Sequence, residues 1–196
     1  PFSAILKRKL DEVISLNLPI DMIATSHGII WRDNPIQIVE KYIRWAEDYQ
    51  ENQITIIYDT MWNGTKQLAE SIGEGIARED KEVVVKIFNL SKSDTNDLVT
   101  EVFKSKTVAI GSPTIGNSIL HSMAGFIHYI KSMKFKNKKA AGFGCYGWSG
   151  ESVKVINELM EDAGFEIIGD GFRNLWNPDE AQIKAAIEYG KEIARA

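Results

Sequence analysis

Apolar and polar positions follow two different rhythms along the chain, and the change comes near residue 50. In the first stretch Leu6, Leu10, Val13 and Ile14 recur at helical spacing behind Ser3, a residue type that caps helix N-termini. Pro19 interrupts that helix, and the short apolar run DMIAT (21–25) predicts a buried strand. TSHGIIWRDNP reads as a loop. Asn34 and Pro35 then form an N-cap and first-turn pair, opening a helix with Ile36, Val39, Ile43 and Ala46 on one face. The polar stretch EDYQENQ (47–53) marks a boundary, so the chain divides into 1–50 and 51–196.

Past that boundary the pattern alternates. Short apolar, β-branched runs at ITIIYD (54–59), EVVVKIF (82–88), KTVAIGS (106–112), KKAAGFGC (138–145) and FEIIGDGF (165–172) predict five strands. Between and after them, apolar residues return every three or four positions: Leu68, Ile72 and Ile76; Leu98, Val102 and Phe103 behind a Ser93 cap; Met123 to Ile130; Val153, Ile156 and Met160; Ile183, Ile187 and Ile193. Five buried-type strands alternating with five amphipathic helices predict an α/β fold in three layers, a parallel sheet covered by helices on both faces. Right-handed crossovers restrict the topology, and the flavodoxin-like order 2-1-3-4-5 is the usual answer for five strands.

Composition narrows the partners. At 196 residues, 44% hydrophobic and 26% charged, the chain can bury a core without covalent staples. Its single cysteine, Cys145, excludes an internal disulfide framework and fits a reducing compartment. A net charge of −4 offers no basic footprint for nucleic acid. No apolar run approaches the roughly 18 residues of a membrane span, and PFSAILKRKLDEV lacks the apolar core of a signal peptide. A cytoplasmic protein is expected. The start at Pro1 rather than Met fits either a processed terminus or an excised fragment.

In an open α/β sheet, ligands bind beyond the carboxyl ends of the strands where the order reverses, which points to the loops after strands one, three and four. The first, TMWNGT (60–65), runs straight into a helix. Thr60, Asn63 and Thr65 offer side-chain donors, Gly64 permits close backbone approach, and the helix N-terminus supplies free N–H groups and partial positive charge. Without the GxxxxGK[ST] lysine, a single phosphate monoester suits this loop better than a triphosphate; a ligand-free helix cap is the alternative. The second loop, SPTIGNSIL (112–120), and the third, CYGWSGE (145–151), combine glycines with polar edges. Trp62, Tyr146 and Trp148 supply apolar faces for a flat heteroaromatic ring.

Several other patterns lead nowhere. GFGCYG (142–147) matches GxGxxG but follows the fourth strand, with too little chain left for a second dinucleotide-binding half. GWSGE departs from GxSxG at its last position. Asp59 ends the first strand as in phospho-receiver domains, yet the third strand ends in Ser112 and Pro113 rather than an acceptor aspartate. Cys145 reads as a small buried residue, and His121 with His128 lack a third ligand at metal spacing.

Together YDTMWNGTKQLAESI, GSPTIGNSILHSM and YGWSGESVK resemble the flavodoxin domain of the flavodiiron proteins, also called A-type flavoproteins. ATSHGIIWRDNPIQIVEKY is similar to the end of that family's metallo-β-lactamase-like domain, so residues 1–50 would be its C-terminal remnant and 51–196 the FMN-binding domain. The resemblance implies that Thr60, Met61, Trp62, Asn63, Gly64 and Thr65 hold the FMN phosphate. Pro113, Thr114, Ile115, Gly116 and Asn117 would border the isoalloxazine from the second loop, and Tyr146, Gly147, Trp148, Ser149 and Gly150 from the third. His27 matches the family's last iron ligand. The family's second loop is often PTINNGILP, from which Gly116, Ser118 and His121 depart. The HxExDH motif that carries most iron ligands is absent, so the diiron site would belong only to an intact parent, of which this chain is a C-terminal piece.

The implied role is to pass electrons from a rubredoxin-like or reductase donor through FMN to a diiron centre that reduces oxygen or nitric oxide, with a homodimer as a possible assembly. No catalytic residue is implied within this piece. Two rival readings stand beside it: a stand-alone FMN-dependent NAD(P)H:quinone reductase, and a cofactor-free flavodoxin-like interaction module.

Overall fold

The computed structural model describes residues 2–196, which fall into two units, one ending at Tyr49 and the other spanning Gln50–Ala196. In the first unit, helix α1 (Ser3–Ser15) is followed by strands β1 (Ile23–Ala24) and β2 (Ile30–Trp31) and helix α2 (Ile36–Ala46). β1 and β2 pair antiparallel, so part of the segment read as a loop is the return strand of a hairpin. Two-residue strands are too short to leave an alternation in sequence. Ser3 is the first helical residue, and Phe2 occupies the cap position with no side-chain bond. Asn34 is left-handed (φ 49°), Pro35 takes the cap position, and α2 starts one residue later than the spacing predicts. Of the apolar stripe of α1, Leu6 and Leu10 are half-buried, while Val13 and Ile14, with Ile5 beside the stripe, stand exposed.

In the second unit, strands β3 (Glu51–Tyr58), β4 (Val84–Asn89), β5 (Ser105–Gly111) and β6 (Lys139–Tyr146) pair in parallel in the order β4-β3-β5-β6. The fifth position is shared by β7 (Glu166–Ile167) and β8 (Phe172–Leu175), both parallel to β6. Counted as one broken strand, they complete the order 2-1-3-4-5. FEIIGDGF is therefore not one continuous strand. Gly169 and Gly171 take φ of 58° and 85°, and the chain bulges there before β8 rejoins the sheet four residues further along β6.

Helices α3 (Gly64–Glu79), α4 (Thr95–Lys104), α5 (His121–Met133), α6 (Ser152–Asp162) and α7 (Glu180–Arg195) cover the sheet. Successive strand residues point to opposite faces, so neighbours divide between two cores. Ile57, Val108 and Ile110 pack with Leu98 of α4, Met123 and Ile127 of α5 and Ile156 of α6. Ile54, Ile56, Ala109 and Phe143 pack with Leu68 and Ile72 of α3 and Ala186 and Ile193 of α7. Each fully buried Ile or Leu contributes about 2 kcal/mol, so the two cores outweigh any surface pairing. α3 and α7 approach to backbone contact: a Cβ on Gly75 would lie 2.0 Å from the Ile187 carbonyl oxygen. Asp94 caps α4, accepting from Asn96 N–H at 2.8 Å, while the predicted cap Ser93 bonds back to the Asn89 carbonyl.

Candidate functional site

All five parallel strand positions end on the same side of the sheet, and the connections leaving β3, β5, β6 and β8 converge there. The first is anchored by Asp59. Its buried carboxylate accepts from Thr60 N–H (2.9 Å), Ser91 Oγ (2.5 Å) and Ser122 Oγ (2.7 Å), tying the first loop to the turn after β4 and to α5. This explains an aspartate at that place without phosphoryl chemistry.

Beyond Asp59 the chain crosses Thr60, Met61 and Trp62 to Asn63, which is left-handed (φ 66°), a conformation Asn tolerates better than most residues. α3 then starts with no side-chain cap and no acidic residue in its first turn. A 16-residue helix thus presents uncapped N–H groups and the positive end of its dipole. Thr65, in that first turn, is 1% exposed, and its hydroxyl makes no hydrogen bond. It sits beside the Cys145 thiol, whose sulfur is too weak an acceptor to satisfy it. A buried hydroxyl in that state costs about 1–3 kcal/mol.

The second loop is rigid. Thr114 N–H donates to the Cys145 carbonyl (2.9 Å), and Thr114 Oγ1 accepts from Ser152 N–H (3.2 Å). Ile115 and Ser118 exchange backbone bonds across Gly116 (φ 54°) and Asn117 (φ 57°), a two-residue turn of the type that needs two positive φ angles. In the third loop, Trp148 is 90% exposed and meets Trp176, from the loop after β8, edge to face at 5.7 Å. Trp62 is 82% exposed on the first loop.

Between these loops lies a cavity of about 420 Å³, within the usual range for small-molecule sites. From the first loop Thr60, Met61, Trp62, Gly64 and Thr65 line it, and Asn63 does not. From the second, Pro113 and Thr114 line it, while Ile115, Gly116 and Asn117 project into solvent outside it. From the third come Tyr146, Gly147 and Trp148; Ser149 bonds Glu151 instead, and Gly150 packs under the Tyr146 ring. No charged side chain lines the cavity. Anion binding there rests on backbone and hydroxyl groups.

Three lining residues, Cys145, Trp176 and Asn177, were not among the predicted site residues. Cys145 contributes its thiol to the lining, where burial pushes its pKa up to about 11 against weaker opposing contacts with Thr65 and Asn174, which keeps it a neutral thiol near pH 7. Trp176 and Asn177 come from the end of β8. The predicted fifth strand ended at Phe172, four residues short of Trp176, and strand five lies away from the reversal in strand order, so no signal pointed to them. The first two GxGxxG glycines serve packing: a Cβ on Gly142 would meet Asn157 Oδ1 at 2.5 Å, and one on Gly144 the Ser112 carbonyl at 2.0 Å.

His27 is exposed in the hairpin of the first unit, its carbonyl accepting from Thr25 Oγ1 (3.0 Å). Among the described residues no three His, Cys, Asp or Glu side chains are grouped to hold a metal ion. No helix among them is long and apolar enough to cross a membrane.

Known proteins with similar chains agree with this architecture. The family pattern for flavodoxin matches residues 56–190. The anaerobic nitric oxide reductase flavorubredoxin of Escherichia coli (strain K12) is 48% identical over 195 residues, covering 100% of this chain and 40% of that protein. The rubredoxin:oxygen oxidoreductase of Desulfovibrio gigas superposes with a TM-score of 0.91 at 29% identity, over 100% of this chain and 49% of its own. A flavodoxin from the domain Archaea superposes at 0.65 with 28% identity, over 73% of this chain and 96% of its own. The chain thus spans well under half the length of the curated relatives it matches.

Proposed function

The chain belongs to the flavodoxin family, and from that premise we propose that residues 51–196 bind FMN and pass electrons through it as the flavin half of a longer flavodiiron reductase of oxygen or nitric oxide. The single observation that carries the reading is the setting of Thr65: a buried, unbonded hydroxyl in the uncapped first turn of α3, opening onto an aromatic-walled cavity. An orphaned donor at a helix N-terminus is what a phosphate monoester satisfies. The adjoining aromatic walls fit a flat ring joined to that phosphate.

FMN, when bound, supplies stepwise one- and two-electron transfer. The protein's residues do the rest. Thr60 to Thr65 receive the phosphate through hydroxyls and backbone N–H groups, with Asp59 fixing the loop from behind. Pro113 and Thr114 border the ring from one side, and Tyr146, Gly147 and Trp148 from the other. Ile115, Gly116, Asn117, Ser149 and Gly150 shape those loops. With no cation in the lining, negative charge on a reduced ring is disfavoured.

In this reading residues 1–50 are the end of a metallo-β-lactamase-like domain, and their exposed apolar positions belong to contacts with the rest of that domain. His27 is one iron ligand of a diiron centre whose other ligands lie in the longer protein. Both the nitric oxide reductase and the oxygen oxidoreductase that the chain resembles carry rubredoxin in their names, which favours a rubredoxin-like donor. Cytoplasmic placement and a homodimer complete the proposal.

The test is the visible spectrum of the purified protein before and after adding FMN and desalting. Flavin bands that persist, in roughly one-to-one ratio to protein, support the reading. A colourless protein that takes up no FMN overturns it and leaves the interaction-module alternative. Rapid bleaching of bound flavin by NADH alone would favour the quinone reductase.

A further inference from the structure

The bulge between β7 and β8 returns the chain to the sheet so that β8 runs beside the last four residues of β6. Trp176 N–H then donates to the Tyr146 carbonyl at 2.8 Å, which locks the turn after β8 onto the third loop. Trp176 itself is left-handed, with φ 57°. For a bulky side chain this is an unfavourable conformation that persists only where the surroundings impose it. Asn174 does so here. Its side chain is 1% exposed, and Nδ2 donates to the carbonyls of Leu175 (3.2 Å) and Trp176 (2.9 Å), clamping the turn from inside.

The clamp delivers the Trp176 indole to the cavity, where it lines the wall and meets Trp148 edge to face. Yet the residue remains 59% exposed, so its own burial does not explain the unfavourable backbone. The opposite loop makes room for it: a Cβ on Gly147 would lie 2.9 Å from two carbons of the indole. A constrained backbone, a buried amide clamp and a side-chain-free neighbour all serve to hold one half-exposed ring in place.

We propose that Trp176 is a ring-binding residue of the flavin site, a fourth wall supplied by the broken fifth strand, and that Asn174 is its positioning residue. This rests on the FMN-binding reading above. The indole face, held in place before the ligand arrives, loses little freedom when a flat ring packs against it.

The test compares FMN with riboflavin, which has the ring but no phosphate, on the full chain. Trp176→Gly suits the left-handed backbone, so the apoprotein should melt no lower than wild type. Both ligands should bind roughly tenfold more weakly, by the same factor, as expected for a lost aromatic contact. Trp176→Phe restores most of the affinity and guards against a folding defect in the glycine variant. Asn174→Asp, which cannot donate to the two carbonyls, weakens both ligands likewise, and the residual fluorescence of bound flavin rises as the quenching indole loosens. Unchanged affinity in Trp176→Gly, or a loss confined to FMN, overturns the inference while the FMN reading stands. A wild type that binds neither ligand overturns both.

Discussion

Replacing Thr65 by valine should move stability and ligand affinity in opposite directions. Valine matches threonine in shape and exchanges only the hydroxyl for a methyl group. In the free protein that hydroxyl is 1% exposed and unbonded, with the Cys145 thiol as its polar neighbour. An unsatisfied buried hydroxyl costs about 1–3 kcal/mol, and a same-shape apolar replacement is neutral to stabilising. Taking a gain of about 1 kcal/mol, the apoprotein should melt about 3 °C higher. With FMN the sign reverses. A hydrogen bond to a charged phosphate contributes about 1.5–3 kcal/mol, so the dissociation constant should rise roughly 10- to 150-fold. Riboflavin, lacking the phosphate, should bind wild type and variant alike. Thermal unfolding of both apoproteins and fluorescence titrations with both ligands measure all four quantities. An apoprotein that melts lower with FMN affinity unchanged would refute the reasoning, and so would an equal loss for the two ligands.

Three further outcomes follow from the same structure. Gly75→Ala places a Cβ 2.0 Å from the Ile187 carbonyl oxygen, so α3 and α7 must separate; overpacking of this kind costs about 1–3 kcal/mol or more, visible as a lower denaturation midpoint, and an unchanged midpoint would refute the close packing. Burial holds the Cys145 thiol at about 11, above its value in the unfolded chain, so its contribution to stability is complete below about pH 9 and is lost as pH rises through 11. Wild type should therefore lose stability relative to Cys145→Ala across that window, alkylation at pH 8 should be slow and slower still with FMN bound, and a constant stability gap would count against the assignment. With no cation among the lining residues and a net charge of −4, bound FMN should have a lower reduction potential than free FMN; a spectroelectrochemical value above the free one would contradict this.

Much of the molecule was legible before folding was considered. The runs ITIIYD and KTVAIGS are apolar on both faces, which only a doubly covered parallel strand needs, and the helical spacing of Leu68, Ile72 and Ile76 or of Val153, Ile156 and Met160 survives in the two cores. Chirality restricted the topologies, and the usual five-strand answer, 2-1-3-4-5, is the one observed; with it came the choice of the TMWNGT, SPTIGN and YGWSG loops. The errors are local. Ser3, Ser93 and Asn34 are cap-type residues one position away from the caps that form: Asp94 takes the N–H that Ser93 would have accepted, whereas Phe2 and Pro35 hold the cap position by backbone geometry alone, with no side-chain bond. DMIAT reads as a buried strand, but only Ile23 and Ala24 pair and neither is buried, and the return strand β2 was missed because two residues have no period.

What the sequence determined by itself is therefore everything that depends on near neighbours: strand and helix periodicity, the glycine and hydroxyl chemistry of the first loop, and the absence of a basic or metal-binding pattern. What only the tertiary structure decided is everything that depends on residues distant in the chain meeting in space. Asp59 is a tie between three segments because Ser91 and Ser122 arrive beside it, and Thr65 is an orphan because α3 packs it away from water. Trp176 reaches the cavity only because Gly169 and Gly171 break the fifth strand and Asn174 clamps the turn beyond it. Periodicity is written in the order of side chains along a few residues. A convergence of loops is written in where the sheet sends their ends, and that emerges only when the strands have paired.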